Sequence, residues 1–268
     1  MPDLHAAAHA CLAEAGISAK LALTERTAAA IRAGALLPDP AAPAPLRMPV
    51  PGRPPRPRLV PPRELPQRGL GSEAGRAAFV HAIAHIEFNA INLAWDACYR
   101  FRGMPAAFYA DWAAVAADEA RHFALLAERL GELGHGYGDF DAHDGLWDMA
   151  LRTDHDCLAR MALVPRVLEA RGLDVTPAMI ERLRALGDVR TVEILELILR
   201  EEVAHVAAGS RWFRHCCAAE GRDPRATFAA LLREHAGNAL RGPFNQPARR
   251  AAGFSEDELE ALIALAQA

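Results

Sequence analysis

The sequence has no apolar run of the roughly 20 residues that a membrane-spanning helix takes, so no membrane-embedded segment is expected. It also lacks the long alternating Val/Ile/Thr-rich runs of half-buried strands, which argues against a sheet domain. Aromatic residues are few, 6%, against abundant alanine and leucine, so apolar contacts must come from small and aliphatic side chains. The five cysteines (Cys11, Cys98, Cys157, Cys216 and Cys217) are odd in number, irregularly spaced and free of any C-x-x-C pair. Reduced thiols in a cytoplasm are their simplest reading. The formal net charge is −4. That leaves no overall basic field for nucleic acid or an anionic membrane. The start, MPDLHAAAHACLAEAG, lacks a charged segment followed by an apolar core, so it does not read as a signal peptide, and a cytoplasmic protein is expected.

What is present points to helix. Half of the 268 residues are hydrophobic, 51%, enough for a large core. Alanine and leucine accompanied by arginine and glutamate favour helix, so the expected fold class is all-α. Residues 1–36 read as an N-terminal helical segment. Residues 37–71 are proline-rich, and proline neither donates to a helix nor tolerates a helical residue before it, so this is an extended connector. Its apolar residues, Leu46, Met48, Leu59 and Val60, suggest a strap laid over the helices. Its arginines, Arg53, Arg56, Arg58, Arg63 and Arg68, are expected to fasten it to acidic faces. Residues 72–221 hold four long helical patterns. The first starts at Ser72 and ends near Arg102, and the second runs from Pro105 to about Gly131. The third follows Asp144 and ends near Gly172, with a short helix from Thr176-Pro177 to Gly187 behind it. The fourth runs from Asp188 to about Glu220. Residues 222–268 form a C-terminal helical extension packed on these, with a capping signature at Ser255 to Glu258.

Four carboxylates interrupt the apolar stripes of these helices. On the first, Val80, Ala84, Ile91, Ala94, Trp95 and Cys98 share one face, and Glu87 falls in its middle. On the second, Trp112, Val115, Ala116, Phe123, Leu126 and Leu130 are interrupted by Glu119 and His122. On the third, Glu169 follows Leu158, Met161, Ala162 and Pro165. On the fourth, Glu202 and His205 sit among Leu195, Ile198, Val206, Gly209 and Phe213. Residues three apart are neighbours on a helix surface, so each Glu-x-x-His pair can reach one ion. The order repeats: Glu87 and Glu119 are 32 residues apart, Glu169 and Glu202 33. One Glu from each of two helices with Glu-x-x-His from each of the other two is the ligand set of a ferritin-like four-helix bundle holding two metals. Four carboxylates and two imidazoles suit iron or manganese, or a mixed Mn/Fe pair, better than structural zinc. The competing explanation is a plain bundle whose glutamates pair with Arg121, Arg166 or Arg200. A single Glu-x-x-His arises by chance in Ala/Glu-rich helices; a second copy in register does not arise so easily.

The segments HIEFNAINLAWDA, ADEARHF, LVPRVLEARGLDVTP and ILREEVAHVAAGSRWF, together with Arg241–Asn245, resemble a bacterial ferritin-like family named as a domain of unknown function, number 455. The resemblance implies a ferritin-like fold over most of the chain and carries no reaction with it. A more distant resemblance is to the di-iron tRNA hydroxylases, on the ligand pattern and Glu169-Ala170-Arg171. The leading expectation is an oxidoreductase or hydroxylase that activates O2 at two irons and acts on a small substrate, with an electron donor and no catalytic group beyond the metal ligands. The alternatives are an iron-handling or metal-binding protein without an organic substrate and, second, a tRNA-modifying hydroxylase. No nucleic-acid partner is expected from the charge. His81 and His85 are expected to support the site or lie at the surface, and His135, His143 and His155 to be solvated. Asp118 and Glu201 should point away from the ligand face. Asn89, Asn92 and Tyr109 are possible hydrogen-bond partners of the ligands. Cys216 and Cys217 read as packing residues, since adjacent cysteines bridge poorly.

Overall fold

Ser72 starts a helix as its residue type dictates: its hydroxyl accepts from the Gly75 amide at 3.1 Å and caps α3, Glu73–Arg100. Pro105 precedes α4, Ala106–Glu132. Both helices follow the expected bounds within two residues. In the computed structural model, residues 3–236 and 241–267 are described. Among them there is no strand, only two isolated backbone bridges, Asp3 with Leu37 and Leu59 with Ala142. Among the described residues no helix is long and apolar enough to cross a membrane. The chain divides into two units, Met1–Asp148 and Met149–Ala268.

In the first unit, α1 (Leu4–Ala13) lies on α3, α2 (Ile17–Arg32) lies on α4, and α3 and α4 run along each other. Lys20, the chain's one lysine, is fully buried on α2. Its ammonium donates to the Cys11 and Leu12 carbonyls at 2.8 and 3.3 Å and to Asn92 Oδ1 at 2.6 Å. It thus satisfies carbonyls at the end of α1 that the helix itself leaves without partners.

The proline-rich connector is a strap. The Val60 amide donates to the Ala142 carbonyl at 2.8 Å, and the Ala142 amide to the Arg58 carbonyl at 3.0 Å. Arg53 bonds Asp144 at 2.7 Å, and Arg58 bonds Asp141 at 2.6 and 3.1 Å. The buried Trp147 indole donates to the Pro49 carbonyl at 3.2 Å. Gly52 crosses the end of α1 so closely that a Cβ there would meet the Glu14 carbonyl oxygen at 2.3 Å. The expectation that arginines fasten the strap holds for Arg53 and Arg58, whose partners lie in the loop after α4.

α5, Gly145–Arg152, runs across the division. The second unit then departs from the expected single third helix. α6 (Cys157–Leu163) leads into a π-helical turn, Val164–Glu169, and α7 (Ala170–Ala185) continues from it. Neither Gly172 nor Pro177 breaks the chain as expected. Pro177 lacks the N–H that would have bonded the Leu173 carbonyl. Asn245 takes that carbonyl instead, through its side-chain amide at 3.0 Å. One residue along, Asp174 accepts from Arg249 at 2.9 and 2.7 Å and from the Asn245 amide at 2.9 Å. Tertiary partners outweigh the local signal.

α8 is Val189–Ala219, capped by Asp188, and packs along α6, the π-helical turn and α7. α9 (Pro224–Leu231), α10 (Gln246–Ala251) and α11 (Glu256–Gln267) follow. The Ser255 signature forms a reciprocal cap: the Glu258 amide donates to Ser255 Oγ at 3.3 Å, and the Ser255 amide to Glu258 Oε2 at 2.9 Å. The other Glu258 oxygen holds Arg166 at 2.7 Å, inside a cage formed by Phe213, Phe228 and Phe254.

Candidate metal centre

Helical periodicity puts Glu87 on the buried face of α3 and Glu119 and His122 on the buried face of α4. Their exposures are 4%, 1% and 0%. One ligand atom from each gathers within 4.8 Å of the others. His122 Nδ1 lies 3.3 Å from Glu119 Oε2 and 3.4 Å from Glu87 Oε2. Burying two carboxylates is costly unless a positive charge accompanies them. The imidazole reports that field. Burial pushes its pKa down, but its hydrogen bonds to Glu119 and Glu87 and their charges more than reverse this, and the pKa stands at about 11. Without a metal the ring therefore holds a proton where the carboxylates call for a cation. Two carboxylates and one imidazole converging in a dry place fit a divalent ion with oxygen-rich preference.

In the second unit, Glu202 and His205 share the buried face of α8, with His205 Nδ1 3.2 Å from Glu202 Oε1. One turn on, Gly209 presses against Pro165: a Cβ at Gly209 would stand 2.3 Å from Pro165 Cγ. The missing side chain lets α8 approach the π-helical turn, and Glu169 closes that turn. Such turns are rare and recur at functional sites. Glu169, the third expected ligand of this unit, thus sits on a different element from the Glu202–His205 pair.

Of the arginines of the competing explanation, Arg121 bonds Asp118 at 2.9 Å and Arg166 bonds Glu258 at 2.7 Å. Asp118 is half-exposed, as expected for a position turned off the ligand face. Of the residues considered as ligand supports, Asn92 holds Lys20, and Tyr109 donates to the Phe101 carbonyl at 2.9 Å. Asn89 donates to the His85 carbonyl at 2.9 Å.

The histidines preceding Glu87 are buried rather than at the surface. His85 Nε2 lies 3.1 Å from the His143 carbonyl, and its Nδ1 lies 2.9 Å from the Tyr137 hydroxyl. With the proton on Nε2, Nδ1 accepts from the tyrosine. Burial lowers the pKa of His85 and of His81 to about 4, so both rings are neutral. Tyr137 packs on Phe88 and Phe123, at 5.6 and 5.0 Å between ring centroids. Phe88 of α3, Phe123 of α4 and Tyr137 of the following loop thus form one aromatic cluster. Tyr137 lies in a loop, where no periodicity marks it. Lys20 is likewise a lone charge in an ordinary helical stretch, and the sequence singled out neither residue.

A family model described as "Protein of unknown function (DUF455)" matches residues 13–260, a span that includes all six expected ligands. An uncharacterized protein of Haemophilus influenzae is 47% identical over 214 residues, 77% of this chain and 74% of that protein. No solved structure matches the chain.

Proposed function

The chain belongs to the DUF455 family, and on that footing we propose that it is a ferritin-like di-iron carboxylate protein, an oxidoreductase that activates O2 and acts on a small organic substrate. One observation carries this reading: the buried convergence of Glu87, Glu119 and His122, where two carboxylates face one imidazole and create a field that favours positive charge. The second unit repeats the Glu-x-x-His motif in Glu202 and His205 and offers Glu169 as the further carboxylate. Together these six would hold two metals, the four carboxylates balancing the charge of two divalent ions and each histidine binding one of them.

Held by these residues, iron would supply the electrons for O2 activation. The chain's own part is to bind, orient and keep water out. Phe88, Phe123 and Tyr137 form an aromatic cluster that ties α3, α4 and the loop after α4 together. Neutral His85 fixes the Tyr137 hydroxyl, and with it the loop that the strap ties down. Gly209 and the π-helical turn bring the Glu169 segment against α8. A net charge of −4 does not favour an RNA substrate, so a small substrate is preferred to tRNA.

The test is anaerobic loading of the metal-free chain with ferrous iron, followed by O2 while optical and Mössbauer spectra are recorded. The reading expects protein-bound iron that turns from ferrous to a coupled ferric pair. Iron that stays in the filtrate and oxidises at the rate of buffer alone would reject it. Uptake of many irons per chain would assign storage instead.

A further inference from the structure

The first unit holds a concave site that the metal ligands do not use. A cavity of about 270 Å³ opens between the first turn of α1, the turn after α2 and the first turns of α4. Backbone chemistry sets its rim. Gly34, at φ +68°, turns the chain out of α2, and the Gly34 and Ala35 amides donate back to the Ile31 and Ala30 carbonyls at 3.0 and 2.9 Å. The Leu4 amide then donates to the Leu37 carbonyl at 3.0 Å, which pins this turn beside α1. The space itself comes from alanine: Ala106, Ala107 and Ala110 line it from α4, where larger side chains would fill it.

The lining divides into two chemistries. Leu4, Ile31, Leu36 and Leu37 are apolar, and Leu37 is 45% exposed. The one charged group is Arg32, the last residue of α2, and among the described residues no carboxylate pairs with it. On the α4 wall, Pro105 precedes the helix without a side-chain cap, so the Ala106 and Ala107 amides keep donors that no earlier helical turn can take. Asp3 and Asp39 adjoin Leu4 and Pro38 in the chain, but their carboxylates are engaged by backbone amides. Asp3 accepts from His5 and Ala6 at 3.0 Å each, and Asp39 accepts from Ala41 at 2.8 Å.

We propose that this cavity binds a small monocarboxylate with an apolar body, its head held by Arg32 and its hydrocarbon laid on Leu4, Ile31 and Leu37. A guanidinium offers a carboxylate two parallel N–H donors, and one arginine matches one negative charge. The start of α4 adds a weaker positive field of the same sense. Volume limits the guest. At about 30 Å³ per water the cavity holds the equivalent of about nine waters, so the guest has about nine non-hydrogen atoms. The site is separate from the metal centre: Ala110 and Glu119 lie nine residues apart on α4, roughly 13.5 Å of helix rise. A guest in the cavity does not span that distance, and its binding does not depend on a metal.

The experiment titrates the full-length chain, with isotope-labelled leucine and isoleucine methyls, with hexanoate while methyl spectra are recorded. Saturable shifts are expected at Leu4, Ile31 and Leu37, with or without metal. Hexanol, the same chain without the charge, should bind at least tenfold more weakly. Arg32→Gln should bring hexanoate down to the affinity of hexanol, and because Arg32 is exposed this variant keeps the fold. Ala110→Phe should abolish the shifts by filling the cavity. No saturable shift at these methyls, equal affinities for hexanoate and hexanol, or an unchanged hexanoate affinity in Arg32→Gln would overturn the proposal.

Discussion

Asn92 Oδ1 accepts from Lys20 Nζ at 2.6 Å, joining the sole lysine on α2 to a buried amide on α3. Burial lowers the lysine pKa from 10.5 to about 8, while its three carbonyl acceptors favour the charged form. A single selectively labelled lysine resonance should therefore titrate near pH 8. Between pH 8 and 10.5 the unfolded chain keeps a proton that the folded chain has lost, so this group's contribution makes stability rise with pH across that window, by about 3 kcal/mol at most. Cys11 and Cys98, raised by burial, act in the opposite sense at alkaline pH, so the resonance isolates the lysine where a denaturation curve does not. A midpoint at 10.5 would show that the ammonium is not enclosed.

Arg249 and Asp174 form a two-pronged ion pair, 2% and 8% exposed, that fixes α10 to α7. Removing one partner leaves a buried charge. Arg249→Ala should cost roughly 3–5 kcal/mol in urea denaturation. A loss within experimental error would mean that α10 is not held there.

Gly209→Ala places a methyl 2.3 Å from Pro165 Cγ, so α8 and the π-helical turn must separate. Stability should fall by about 1–3 kcal/mol, as overpacking does. Metal affinity should fall with it, because Glu169 and the Glu202–His205 pair lie on the two surfaces that part. Unchanged melting and unchanged metal content would contradict the close approach.

The strap divides into tight and loose contacts. Gly52→Ala should lower the melting temperature clearly, since its Cβ would collide with backbone at the end of α1. Arg58→Ala should leave it unchanged, because an exposed arginine pairing with Asp141 contributes little. Equal losses from both variants would misplace the strap's anchorage.

Helix bounds near Ser72, Pro105, Asp188 and Ser255 were legible because helix starts are local chemistry, and the structure shows side-chain caps at Ser72, Asp188 and Ser255. The cluster of Glu87, Glu119 and His122 was legible because a carboxylate on an apolar stripe is an anomaly visible at helical period. The region from Val164 to Ala185 was misread because its shape is set from outside: Asn245 and Arg249 supply partners some 70 residues away to the carbonyl and carboxylate beside Pro177. The π-helical turn leaves no periodic signature of its own. The buried state of His81 and His85 depends on the 135–144 loop folding back over α3, which no spacing encodes.

Metal analysis of the protein produced with iron and manganese supplied, beside Glu119→Ala and Glu202→Ala, decides whether the six residues hold a two-metal centre. About two metal ions are expected per wild-type chain, mostly lost in either variant, with the metal-bound wild type melting above its metal-free form because binding stabilises the folded state. A wild-type chain without metal, or full metal content in both variants, would contradict it.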